Sequence, residues 1–81
     1  LSSHSLVLLV EINLKNGTLQ SIHISPQQGL EYLKNPRILM DIEKKLTSKS
    51  FDSALSYSKK QPDPVWEGVS RALQSIQRSA E

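Results

Sequence analysis

The sequence predicts an α+β fold of two layers: an N-terminal β-hairpin, open to completion by a further strand, packed against three helices. Three observations carry this. Two apolar, β-branched runs flank an Asn-Gly dipeptide near the start, the strongest short-range hairpin signal in a sequence. The remainder reads as apolar stripes at helical spacing. Prolines at 36, 62 and 64 divide that remainder into segments of helix length.

The first run is Leu6-Val7-Leu8-Leu9-Val10-Glu11-Ile12-Asn13-Leu14 and the second Thr18-Leu19-Gln20-Ser21-Ile22-His23-Ile24. Two registers compete. A two-residue loop at Asn16-Gly17 sets Leu14 opposite Leu19 and Ile12 opposite Ser21, which moves Ile22 and Ile24 to the face of Glu11 and Asn13. A three-residue loop, Lys15-Asn16-Gly17, sets Val10 opposite Ile22 and Leu8 opposite Ile24. It gathers Leu8, Val10, Ile12, Leu14, Ile22 and Ile24 on one side. Register follows the buried face, so the longer loop is expected, with Gly17 in the left-handed position of a G1 bulge. Val7 and Leu9 then share the opposite face, which predicts that the first strand is covered on both sides at its start.

Pro26 to Gly29 end the hairpin, and Leu30 to Leu33 read as one helical turn. Asn35-Pro36 is a cap followed by proline at the first helical position. It opens a helix over roughly 36–47 with Ile38, Leu39, Ile42 and Leu46 inward. A shorter helix starts at Phe51-Asp52, with Asp52 as its cap and Ala54, Leu55 and Tyr57 inward. Gln61-Pro62-Asp63-Pro64 breaks it, and Asp63-Pro64 starts a last helix over roughly 64–78. Val65, Trp66, Val69, Leu73 and Ile76 line one face of that helix.

Length and composition bound the function. Eighty-one residues make one small domain, and a chain of this size buries only roughly 60% of its unfolded surface. With 37% hydrophobic residues and no cysteine, neither disulfides nor thiolate metal sites supplement the core. Either marginal stability alone or a partner covering part of the apolar surface is therefore expected. The chain starts at Leu1, which reads as a piece of, or a partner to, a larger chain. Absence of cysteine fits an intracellular compartment, cytoplasmic or mitochondrial. The longest apolar run is far short of the ~20 residues of a membrane span. A net charge of +2, with acidic residues interspersed among the lysines, reads as solvated helix faces and argues against nucleic acid.

No catalytic constellation is visible. His4 and His23 have no metal-ligand spacing. Asp41 and Glu43 stand two apart on a helix and point to different faces. The serines lack a nucleophile elbow, and the three glycines form no phosphate loop. Asn16-Gly17-Thr18 matches the N-glycosylation pattern, but the turn already demands Asn-Gly. Trp66 reads as core on its apolar stripe; were it exposed, it would be the best interface anchor. Two strands alone are marginal, so a third strand or a partner at the hairpin edge is expected. The interface candidates are Val7, Leu9, Tyr57 and Trp66, with no catalytic, cofactor-binding or metal residue assigned.

Taken in order, the hairpin LLVEINLKNGTLQSIHIS, the helix ending ILMDIEKKLTSKSF, the short helix, the proline break and the last helix resemble the small C-terminal accessory domain of lipoate–protein ligases. Ile42 to Leu46 and Phe51 occupy the places of that family's Leu-x-x-Leu helix and following aromatic. The likeness spans roughly residues 6–76. It implies a non-catalytic accessory role: the small domain packs on a larger ligase domain, helps lipoyl-adenylate formation and shifts between the adenylation and transfer steps. Lipoate, ATP and the catalytic lysine would belong to the large domain, and no catalytic residue carries over to this chain. The rival expectation is a small α/β protein-interaction module of another assembly.

Overall fold

A computed structural model describes residues 8–26 and 36–79. Two strands, β1 (Leu8–Lys15) and β2 (Thr18–Pro26), form an antiparallel hairpin. Three helices follow: α1 (Pro36–Leu46), α2 (Phe51–Lys60) and α3 (Pro64–Ser79). The fold is α+β, as the patterning predicts. Helix α1 lies against β2, α3 against β1, and α2 against α3. The core between the layers joins Leu8, Leu19, Ile22 and Ile24 to Leu39, Ile42, Leu46, Ala54, Val65, Trp66, Val69 and Leu73.

The hairpin register corrects the three-residue loop. Asn16 (φ 56°) and Gly17 (φ 77°) both take left-handed backbone, the signature of a two-residue type I′ turn. Lys15 pairs with Thr18 and Leu14 with Leu19. The register then shifts, so that Asn13 meets Ser21, Ile12 meets Ile22 and Val10 meets Ile24. Gln20 is the extra residue of a bulge in β2. This arrangement reconciles two demands that differ by one residue. Asn-Gly favours the tight turn, whereas the apolar face needs one more residue between the strands. A three-residue loop would meet the second demand but would turn Leu19 to the outer face. With the bulge, Leu19 stays inside with no exposed surface, which is worth about 1.5–3 kcal/mol for a leucine. Gly17 is left-handed as expected, but as the second turn residue.

The helix boundaries follow their caps. Asp63 Oδ1 accepts from the Val65 N–H at 3.1 Å, capping α3 as expected. The cap of α2 is Ser50, whose Oγ accepts from the Ser53 N–H at 3.2 Å, two residues earlier than the expected Asp52. Asp52 instead sits in the first turn, where its charge complements the helix dipole. After α1 the chain turns through Ser48 at φ 78°, a conformation usually given to glycine. Leu39, Ile42 and Leu46 are buried, whereas Ile38 is exposed at 36%. Ala54 is buried, with Leu55 and Tyr57 half-buried against the core. Val65, Trp66, Val69 and Leu73 are buried, and Ile76 is half-buried. The turn expected at Leu30–Leu33 and the Asn35 cap lie outside the described residues.

Candidate functional site

The sheet presents two faces of opposite character. Leu8, Val10, Ile12, Leu19, Ile22 and Ile24 face the helices. Leu9, Glu11, Asn13, Ser21 and His23 are exposed on the other side, which no described helix covers. Period-two alternation places them there. Asn13 Nδ2 donates to Ser21 Oγ across the strands at 3.2 Å, and Glu11 stands opposite His23. The result is a shallow polar groove lined by Glu11, Asn13, Ser21 and His23; Leu9, on the same face, is 51% exposed. The expectation that β1 is covered on both sides is thus corrected at Leu9.

The two edges of the sheet also differ. The outer edge of β2 is closed by the segment joining α1 to α2. The Leu19 N–H donates to Lys49 O at 2.8 Å, the Ser48 N–H to Leu19 O at 2.8 Å, and the Phe51 N–H to Gly17 O at 3.2 Å. Further along, Glu43 of α1 reaches around the edge. Its Oε2 accepts from the Ile24 N–H at 2.8 Å and lies 3.4 Å from His23 Nδ1. No local sequence signal announces these contacts, because they join residues 19 to 34 positions apart.

Among the described residues the edge of β1 has no such cover. In an antiparallel ladder, residues alternate between pairs that exchange hydrogen bonds and pairs whose backbone groups point away. The Ile24 amide points outward to Glu43, so its partner Val10 points outward as well, and Ile12 and Leu14 follow by alternation. Those groups meet no strand or connecting segment among the described residues. On this edge Leu14 is 50% exposed. β1 carries none of the usual edge protections, since it has no proline and no bulge of its own, and its one lysine is terminal.

The four interface candidates separate. Val7 and His4 lie outside the described residues. Leu9 is on the uncovered face. Tyr57 is half-buried in an edge-to-face contact with Trp66, ring centroids 5.4 Å apart, and Lys49 Nζ sits 4.7 Å from its ring centroid. Trp66 is 6% exposed; the stripe reading holds, and its place among surface-facing candidates is corrected. Its ring meets Tyr57 of α2, because position 66, three residues past the Asp63 cap, lies on the inward face of α3.

Asp41 pairs with Lys45 at 2.9 Å, away from Glu43. Asn16 occupies the turn in the left-handed conformation that asparagine tolerates. Among the described residues no group of three His, Asp or Glu side chains is placed to hold a metal ion, and no helix is long and apolar enough to cross a membrane. The buried Ser58 gives its hydroxyl to Ala54 O at 2.8 Å, a helix back-bond. What the arrangement offers chemically is backbone pairing at one strand edge and a polar-rimmed face.

Comparison with known proteins finds no matching family model, no matching curated protein and no matching solved structure.

Proposed function

We propose that the chain is a non-catalytic accessory module of a lipoate–protein ligase, which docks on the large catalytic domain and assists lipoyl-adenylate formation. The observation that carries this reading is the one-sided sheet: the three described helices lie on one face, and the other face, with Leu9 half exposed, is covered by none of them and suits a partner. The element order of hairpin and three helices is the order on which the family resemblance rests. The module's contribution would be positioning and gating of a neighbouring site, with lipoate and ATP held by the larger domain. The same uncovered face also suits a second reading, an interaction module of an unrelated assembly, since nothing on it is specific to lipoylation.

The test is an affinity pull-down of the tagged chain from its native lysate, followed by reconstitution. A recovered larger chain that forms lipoyl-adenylate only when this module is added supports the accessory role. Recovery of an assembly without a ligase moves the assignment to the second reading.

A further inference from the structure

We infer that the bare edge of β1 pairs with β1 of a second copy, giving a symmetric dimer with a continuous four-stranded antiparallel sheet. The inference goes beyond the accessory role and does not depend on it. It uses the edge of the sheet and touches the outer face only along β1, where Leu9 is covered in part by a lysine stem.

The contrast between the edges is the first support. Nine positions of chain, from Glu43 to Phe51, supply four hydrogen bonds that close the β2 edge, while the outward groups of Val10, Ile12 and Leu14 have no such cover among the described residues. An edge left open in this way is a template for another strand.

Self-complementarity of β1 identifies the occupant and the register. A two-fold axis requires the edge to match itself. With Ile12 opposite Ile12 of the second copy, Val10 meets Leu14 and Leu14 meets Val10. Each of these three pairs uses outward backbone groups on both strands, so each exchanges two hydrogen bonds. Directly opposite residues share a face, so the half-exposed Leu14 is covered by Val10 and the apolar layer runs on through the axis. On the outer face Glu11 stands opposite Asn13, and Lys15 lies diagonal to Glu11 and opposite Leu9, where its aliphatic stem covers the leucine. Sliding the second strand by two residues in one direction puts Glu11 against Glu11 in a closely spaced pair, and like charges directly opposite are unfavourable. Sliding it the other way pairs Val10 with the turn residue Asn16, whose left-handed backbone cannot continue a ladder. Charge and turn geometry together leave the Ile12-centred register.

Edge pairing of this length covers less surface than the roughly 1,200 Å² of a standard stable interface, so a reversible dimer is expected. The experiment is sedimentation equilibrium of the full chain from about 10 μM to about 1 mM, the range in which such small interfaces associate. Conversion to twice the 9.1 kDa of one chain is the expected result. Leu14→Lys, at a half-exposed position that leaves the monomer core intact, acts twice per dimer and should weaken association by about tenfold. The chain has no cysteine, so Ile12→Cys introduces one thiol. A short thiol-to-thiol linker should join two Ile12→Cys chains, and should join Ser21→Cys chains, whose exposed thiols lie on β2 away from the axis, much less. A wild-type chain that stays monomeric throughout overturns the inference and gives the edge to a different partner. A dimer that is unaffected by Leu14→Lys, or is not linked through position 12, overturns it equally.

Discussion

Gly17 offers a measurement of one physical term in isolation. Its φ is +77°, and a methyl group added there would touch nothing within 4 Å. Replacing it by alanine therefore adds no clash; only the backbone conformation resists. An L-residue in the left-handed region costs about 1–2 kcal/mol, while the loss of glycine's freedom in the unfolded chain offsets about 0.4–1 kcal/mol of that. Gly17→Ala should lower stability by about 1 kcal/mol. D-alanine at the same position favours positive φ and stiffens the unfolded chain to the same degree, so it should raise stability by about 0.4–1 kcal/mol. The difference between the two enantiomers equals the left-handed cost alone, because their unfolded ensembles are matched. In a domain of this size each kcal/mol moves the midpoint by about 4–8 °C, so the two proteins should melt roughly 10 °C apart. An 81-residue chain is within reach of chemical synthesis, and circular dichroism gives the midpoints. Equal stability of the L and D forms, or an L-alanine protein as stable as the glycine one, would refute a left-handed residue 17 and with it the type I′ turn.

Three more outcomes follow from particular contacts. Ser48 holds φ 78° at the end of α1, so Ser48→Gly should stabilise by about 0.5–1 kcal/mol, read as a rise in the urea midpoint at constant slope. Glu43→Ala removes the acceptor at 2.8 Å from the Ile24 N–H. With the carboxylate partly exposed, a loss of about 1 kcal/mol is expected, together with faster hydrogen exchange at the Ile24 amide; unchanged exchange would show that Glu43 does not close that edge. The hydrogen bond that Lys45 donates to the Asp41 carboxylate, and then that carboxylate's charge, raise the pKa of Lys45 above 10.5. A raised pKa contributes stability that is complete below the unfolded value and is lost as pH rises through the folded one. Asp41→Asn should thus lower the Lys45 titration midpoint seen by NMR and flatten the stability profile above about pH 10.

The elements were legible in the sequence because their signals are local. Asn16-Gly17 announces a turn, Asp63-Pro64 a helix start, and the spacing of Val65, Trp66, Val69 and Leu73 an inward stripe. The burial of Trp66 is legible from that stripe, which sets it apart from the exposed Leu9. The cap of α2 was misplaced by two residues because Ser50 and Asp52 are both good caps. Only the packed chain distinguishes them, since Ser50 is also bridged to Thr18 at the start of β2.

What the sequence determined by itself was the α+β class, the hairpin, the helix order and which side of each element is apolar, all set by periodicity and cap chemistry within a few residues. Tertiary structure alone decided the register, through the bulge at Gln20 that keeps Leu19 in the core. It also decided which sheet edge is closed: β2 receives Ser48, Lys49, Phe51 and Glu43, and β1 is left with its backbone outward. Those choices depend on hydrogen bonds between segments far apart in the chain, and no pattern confined to one segment encodes them.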